Sequence, residues 1–205
     1  MCRKLPAENN HRRKRQGVHA AHRLHILLLL SGKDAGFVRL YTMKDGLDDV
    51  IMSLALDGTG RLLLGTFGRS LIICDSNLSP LADISTSDGL LSNGINHIIQ
   101  AEDGTVWIAT REGLGRIDIK NEKLIHLYTR EDGLANDYIR ALAEDHEGNI
   151  WASTNIGISC ILRNGETHNY NYRYGIPDGG YLNASSACTP DGRILFGSTN
   201  GIASI

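Results

Sequence analysis

The sequence predicts an all-β fold built from a repeated four-stranded unit, and three observations carry that expectation. The first is a ruler: Gly60, Gly104, Gly148 and Gly192 stand 44 residues apart, each closing a short polar turn (DGTG, AEDG, DHEG and TPDG). The second is recurrence at fixed offsets from that ruler. Two residues on come Leu62, Val106, Ile150 and Ile194, and three on come Leu63, Trp107, Trp151 and Leu195. Five on stand the small Gly65, Ala109, Ser153 and Gly197, six on Thr66, Thr110, Thr154 and Ser198, and thirteen on Ile73, Ile117, Ile161 and Ile205. The third is the texture within one period. Tyr138–Glu144, Asn149–Thr154, Gly157–Leu162 and Glu166–Tyr172 are short, rich in β-branched and aromatic residues, and separated by Gly/Asn/Asp turns, which is how antiparallel strands read.

Four strands in a repeat of about 40–45 residues form one blade of a β-propeller. A single such sheet cannot bury both faces, so blades stack and hide their Ile, Leu and Trp positions between them. A small residue five places after the ruler fits where strands crowd. Taken in chain order, residues 1–31 stand apart as a disordered or unreliable basic leader. A short apolar run follows the basic stretch there, but nothing like a signal-cleavage site comes after it. His19, His22 and His25 lack carboxylate or thiol partners nearby, so no metal tract is expected. The fold begins with a stray strand, Gly36–Thr42, which matches Lys123–Thr129, the fourth strand of a unit. Units follow at about 41–84, 85–128, 129–172 and 173–205, the last ending after its third strand. The count suits an open arc of about four blades. A closed four-bladed ring, completed by the stray strand, is the less favoured alternative, since the ends carry no closure signal.

Composition removes several functions. Residues 1–23 carry seven Lys/Arg against one acid, and the remainder fourteen against twenty-two. An acidic body does not offer the clustered cations that a nucleic-acid groove needs. No apolar run approaches the roughly 18 residues of a membrane span. Cys2, Cys74, Cys160 and Cys188 lie far apart without zinc-site spacing, and are expected as small buried thiols. His97, His126, His146 and His168 fall at different offsets from the ruler, so they need not converge on one axis. No nucleophile elbow, zincin helix or phosphate loop occurs. No catalysis, cofactor or metal is expected of this chain.

The motifs themselves resemble a known family. YTMKDGLDDVI (41–51), STSDGLLSNGI (85–95) and YTREDGLANDYI (128–139) open the units, which continue as EDGTVWIATREGLGRID (102–118) and EDHEGNIWASTNIGI (144–158). This pattern resembles the two-component-regulator propeller repeat over about residues 32–205. The first unit departs from it with Leu63 for the tryptophan, and the fourth with Asn183 and Ser186 where apolar residues stood. The resemblance implies the periplasmic sensor region of a hybrid two-component sensor histidine kinase. Such regions are seven-bladed propellers, often in tandem, and many respond to oligosaccharides. It places kinase activity and phosphorelay in domains of a parent protein that this sequence does not contain. It also implies a propeller partner, either further blades or a second protomer, with no direct membrane contact from this segment.

Alternate turns of an up-and-down sheet share a face. The inter-unit loops Asp45–Asp49, Asp88–Asn93 and Asp132–Asp137 therefore lie with the loops Phe67–Arg69, Arg111–Gly113, Asn155–Gly157 and Thr199–Gly201. Variable loops on a regular scaffold commonly hold recognition. Arg69, Arg111 and Asn155 differ between units and are the candidate ligand-binding residues, with Tyr138 placed to stack on a sugar ring. Asp45, Asp88 and Asp132 are expected to cap turns rather than hold calcium. A plain protein-interaction propeller, and less readily a propeller lyase or hydrolase, are the alternative readings.

Overall fold

The structure is a computed structural model that describes residues 49–177 and 180–205 in full and the backbone strands β1 (Gly17–Ala21), β2 (Ile26–Ser31) and β3 (Gly36–Tyr41). Four antiparallel sheets form the body. Blade 1 contains β4 (Ile51–Leu56), β5 (Leu62–Thr66), β6 (Leu71–Cys74) and β7 (Pro80–Ile84). Blade 2 contains β8 (Ile95–Gln100), β9 (Val106–Thr110), β10 (Leu114–Asp118) and β11 (Lys123–Tyr128). Blade 3 contains β12 (Ile139–Glu144), β13 (Ile150–Thr154), β14 (Ile158–Ile161) and β15 (Thr167–Tyr170). Blade 4 has three strands, β16 (Tyr181–Cys188), β17 (Ile194–Ser198) and β18 (Gly201–Ser204).

The first strands of successive blades lie side by side, β4 by β8, β8 by β12 and β12 by β16. That arrangement is a β-propeller segment, as the 44-residue period predicts. Ahead of it β1, β2 and β3 make a three-stranded antiparallel sheet beside β4. β3 falls on the strand expected at 36–42. β1 and β2 lie within the segment read as leader, while residues 1–16 and 22–25 of that leader lie outside the described residues. The three strands start 45, 45 and 44 residues ahead of β5, β6 and β7, so the spacing of the repeat continues through them.

Each gap between blades holds one layer of apolar core. Leu63, Leu71, Ile73, Ile95, Ile98 and Ile108 fill the gap between blades 1 and 2. Trp107, Leu114, Ile139, Leu142, Ile150 and Ile161 fill the next, and Ala141, Ile158, Tyr181, Ile194 and Phe196 the last. The residue five after the ruler sits where β-sheets meet closely. A methyl group on Gly65 would stand 2.7 Å from Ile95 Cγ2, inside van der Waals contact. Ala109 and Ser153 occupy the equivalent positions with no exposure. Cys74 and Cys160 are buried thiols, as expected. Cys188 is in a disulfide, contrary to that expectation, and its partner lies outside the described residues.

A regular irregularity marks the first strand of each blade. The pairing of β4 with β5 slips between Ile51 and Ser53, that of β8 with β9 between Ile95 and His97, and that of β12 with β13 between Ile139 and Ala141. Each slip inserts one unopposed residue, namely Met52, Asn96 and Arg140. In blade 4 the irregularity widens to Tyr181–Ser186 and contains Ala184 at φ 53°. A β-bulge of this kind re-aims the side chain it carries.

Candidate functional site

The candidate face is built on two recurring turns. In the loop after the second strand, Thr66, Thr110, Thr154 and Ser198 each turn a hydroxyl back on the chain. Their Oγ atoms donate to the carbonyls of Ser70 (2.9 Å), Gly113 (2.8 Å), Gly157 (3.0 Å) and Gly201 (3.1 Å). Between blades, Ser85 and Thr129 open single 3-10 turns over Thr86–Asp88 and Arg130–Asp132. The Asp88 and Asp132 carboxylates accept the Ser85 and Thr129 backbone N–H groups at 3.0 and 2.9 Å, a capping box. Gly89 and Gly133 close the turns at φ 101° and 95°, which L residues seldom adopt. Bonding to the Ser85 backbone holds the Asp88 acid below the usual carboxylate range. These aspartates therefore cap turns, and Asp45 lies outside the described residues.

The four candidate residues separate into two groups. Arg111 lays its guanidinium over the Phe67 ring, Cζ 3.9 Å from the centroid. Its Nε is buried with no hydrogen-bond partner among the described residues. Arg69, on the same loop as Phe67, is exposed, and its backbone N–H donates to Thr66 Oγ1 at 3.0 Å. Tyr138 and Asn155 belong to a second cluster, joined by a residue the sequence did not single out. Arg140 donates from Nε to Asn155 Oδ1 at 2.8 Å and from Nη1 to Asn183 Oδ1 at 3.0 Å, and its Cζ lies 4.2 Å from the Tyr138 ring centroid. Asn183 Nδ2 donates to Asn96 Oδ1 at 3.1 Å, and Asn96 Nδ2 to the Ile139 carbonyl at 2.7 Å. Asn96, Arg140 and Asn183 all come from the irregular positions of first strands. Bulges thus gather polar groups from blades 2, 3 and 4 at one place.

Arg140 holds its two amide oxygens in a fixed fork, and the exposed Asn155 borders solvent. Planar amides, a guanidinium and an aromatic face are suited to hydroxyl-rich ligands, which need directed hydrogen bonds plus an apolar wall. His97 does not join this cluster as acid or base. His97 Nδ1 accepts the Leu142 backbone N–H at 2.9 Å, tying β8 to β12, and burial pushes its pKa down to about 4. Among the described residues no group of three or more His, Cys, Asp or Glu is placed to hold a metal ion, and no helix is long and apolar enough to cross a membrane.

The two-component-regulator propeller model matches residues 89–112 and 133–155. The extracellular domain assigned to a hybrid two-component system of B. thetaiotaomicron is similar over 87% of this chain, with 31% identity and a TM-score of 0.81. The chain spans 25% of that domain. A virginiamycin B lyase from Staphylococcus aureus is similar at 14% identity and a TM-score of 0.69, over 93% of this chain and 69% of its own. A protein of unknown function from Bacteroides caccae is similar at 14% identity and a TM-score of 0.63, over 94% and 72%. These last two share the fold alone. No curated protein matches the chain.

Proposed function

We propose that this chain, which carries the two-component-regulator propeller repeat, is a ligand-recognising part of the extracellular, periplasmic sensor region of a hybrid two-component system. Its signal is an oligosaccharide or a similar hydroxyl-rich molecule. The single observation that carries the reading is the 31% identity over 87% of the chain to the extracellular domain of such a system. The cluster of Tyr138, Arg140, Asn155, Asn183 and Asn96 supplies the hydrogen-bond donors and acceptors, with Arg111 and Arg69 on the same face toward blade 1. The chain binds its ligand without transforming it, and phosphoryl transfer belongs to other domains of a parent protein. The chain spans a quarter of the similar domain, and in this reading its structural partner is a further set of blades or a second protomer. The edge of β18 that pairs with no strand among the described residues, with Ile202 67% exposed, offers the surface for one.

Titration calorimetry of the whole chain against a panel of oligosaccharides tests this. Arg111→Ala combined with Asn155→Ala should weaken binding at least tenfold while the β-sheet circular dichroism stays unchanged. Unchanged affinity in the double variant would move the site off this face.

A further inference from the structure

At the opposite end of the propeller, the turns between first and second strands and between third and fourth strands frame a cleft of about 240 Å³ between blades 2 and 3. Ala101, Asp103, Trp107, Arg116 and Tyr128 line it from blade 2, with Glu144, Gly148 and Arg163 from blade 3. The repeat explains why it is there. Three residues before the ruler stand Asp57, Ala101, Asp145 and Thr189. In blade 3 the Asp145 carboxylate accepts the backbone N–H groups of Glu147 and Asn149, both at 2.9 Å, and the Trp151 indole N–H at 2.8 Å. In blade 1 Asp57 takes the matching backbone groups and pairs with Arg61 at 2.7 Å. Blade 2 keeps the tryptophan but has Ala101 in place of the acid.

The turn itself is repaired two residues on, where Asp103 accepts the Thr105 N–H and hydroxyl at 2.8 and 2.6 Å. The indole is not repaired, since Trp107 Nε1 donates to no described residue. Two further donors border the same space. Arg116 Nε is buried with no hydrogen-bond partner among the described residues, although its Nη2 reaches Asp103 at 2.8 Å. The Arg163 guanidinium, at the exposed mouth, makes no hydrogen bond to a described residue. The acids in the wall are already engaged. Asp103 is paired with Arg116, and both Glu144 oxygens accept the Glu102 N–H at 3.0 and 2.9 Å. Burial raises the Glu144 pKa. Unpaired donors in a confined space call for a ligand that brings acceptors.

We propose that this cleft binds a small organic carboxylate, whose acid group takes the place that Asp145 fills in blade 3 and that Ala101 leaves open in blade 2. A volume of about 240 Å³ lies below the roughly 300–1,000 Å³ of sites that enclose larger ligands. The occupant is therefore an organic acid of a few carbons, distinct from the ligand of the loop face at the other end.

Acetate is the probe, with its neutral isostere acetamide and with chloride at equal ionic strength as controls, and thermal unfolding of the whole chain is the readout. A ligand of the folded state raises the unfolding temperature by mass action. Acetate should raise it where acetamide and chloride do not. Ala101→Asp should raise the basal temperature and remove the response to acetate. Trp107→Phe keeps the ring but removes the N–H, and should weaken acetate binding at least tenfold. No acetate response in the unchanged chain, or an equal response in Ala101→Asp or Trp107→Phe, would overturn the proposal.

Discussion

Arg140 organises the candidate face through one side chain that touches residues from two neighbouring blades and an aromatic ring. Removing it as Arg140→Ala leaves Asn155 and Asn183 without their shared donor. The expected result is loss of oligosaccharide binding by more than tenfold, read by calorimetry, with the far-ultraviolet dichroism retained. Asn155 could be picked out in the sequence as a loop residue that differs between units, and Tyr138 as a ring able to stack on a sugar. Arg140, Asn96 and Asn183 were not legible, because a residue's place in a bulge depends on strand register and not on residue type. His97 gives a separate residue-scale expectation. Its folded pKa of about 4 lies below its ordinary value of 6.5, so between those limits the unfolded chain binds a proton that the folded chain does not. Stability from this group is intact above about pH 6.5 and falls as the pH drops toward 4, by up to about 1.4 kcal/mol per pH unit. His97→Asn keeps an acceptor for the Leu142 N–H without titrating. Denaturant unfolding of the two proteins should therefore converge as the pH falls through that window, and parallel curves would contradict the assignment.

The blade is the element that repeats, and its tolerances follow from how closely blades pack. Gly65 has Ile95 where a side chain would begin, so Gly65→Val must push blades 1 and 2 apart. Overpacking of this sort costs about 1–3 kcal/mol, measurable as a lower midpoint in equilibrium denaturation. Asp145→Ala in blade 3 should cost a similar amount, because it strands the Trp151 indole N–H and two turn N–H groups at once. Strand positions, the small residues at Gly65, Ala109 and Ser153, and the capping aspartates Asp88 and Asp132 were readable because the same chemistry returns every 44 residues. The cleft beside Trp107 was written there too, in Ala101 where its counterparts in the flanking blades are acids. A ruler of recurring types draws the eye to what repeats, so a single missing carboxylate passes unnoticed until the unpaired indole is seen.

At the scale of the molecule, the blades share cores only with their neighbours, so the segment is stabilised gap by gap. Its two ends offer different chemistry: amide, guanidinium and aromatic groups at the loop face, and unpaired donors in the cleft at the opposite end. The fold was legible from the period alone. The sheet of β1–β3 was visible only in its last strand, since the residues ahead of it hide their spacing beneath a basic, histidine-rich composition. The most direct test of a sensing loop face is amide chemical-shift mapping of the isotopically labelled chain with a binding oligosaccharide. Shifts should gather at 67–69, 91–97, 111–113, 136–140, 155–157 and 183, and leave 101–105 and 162–166 unmoved. Shifts confined to those opposite turns, or spread evenly over the blades, would contradict a sensing site on this face.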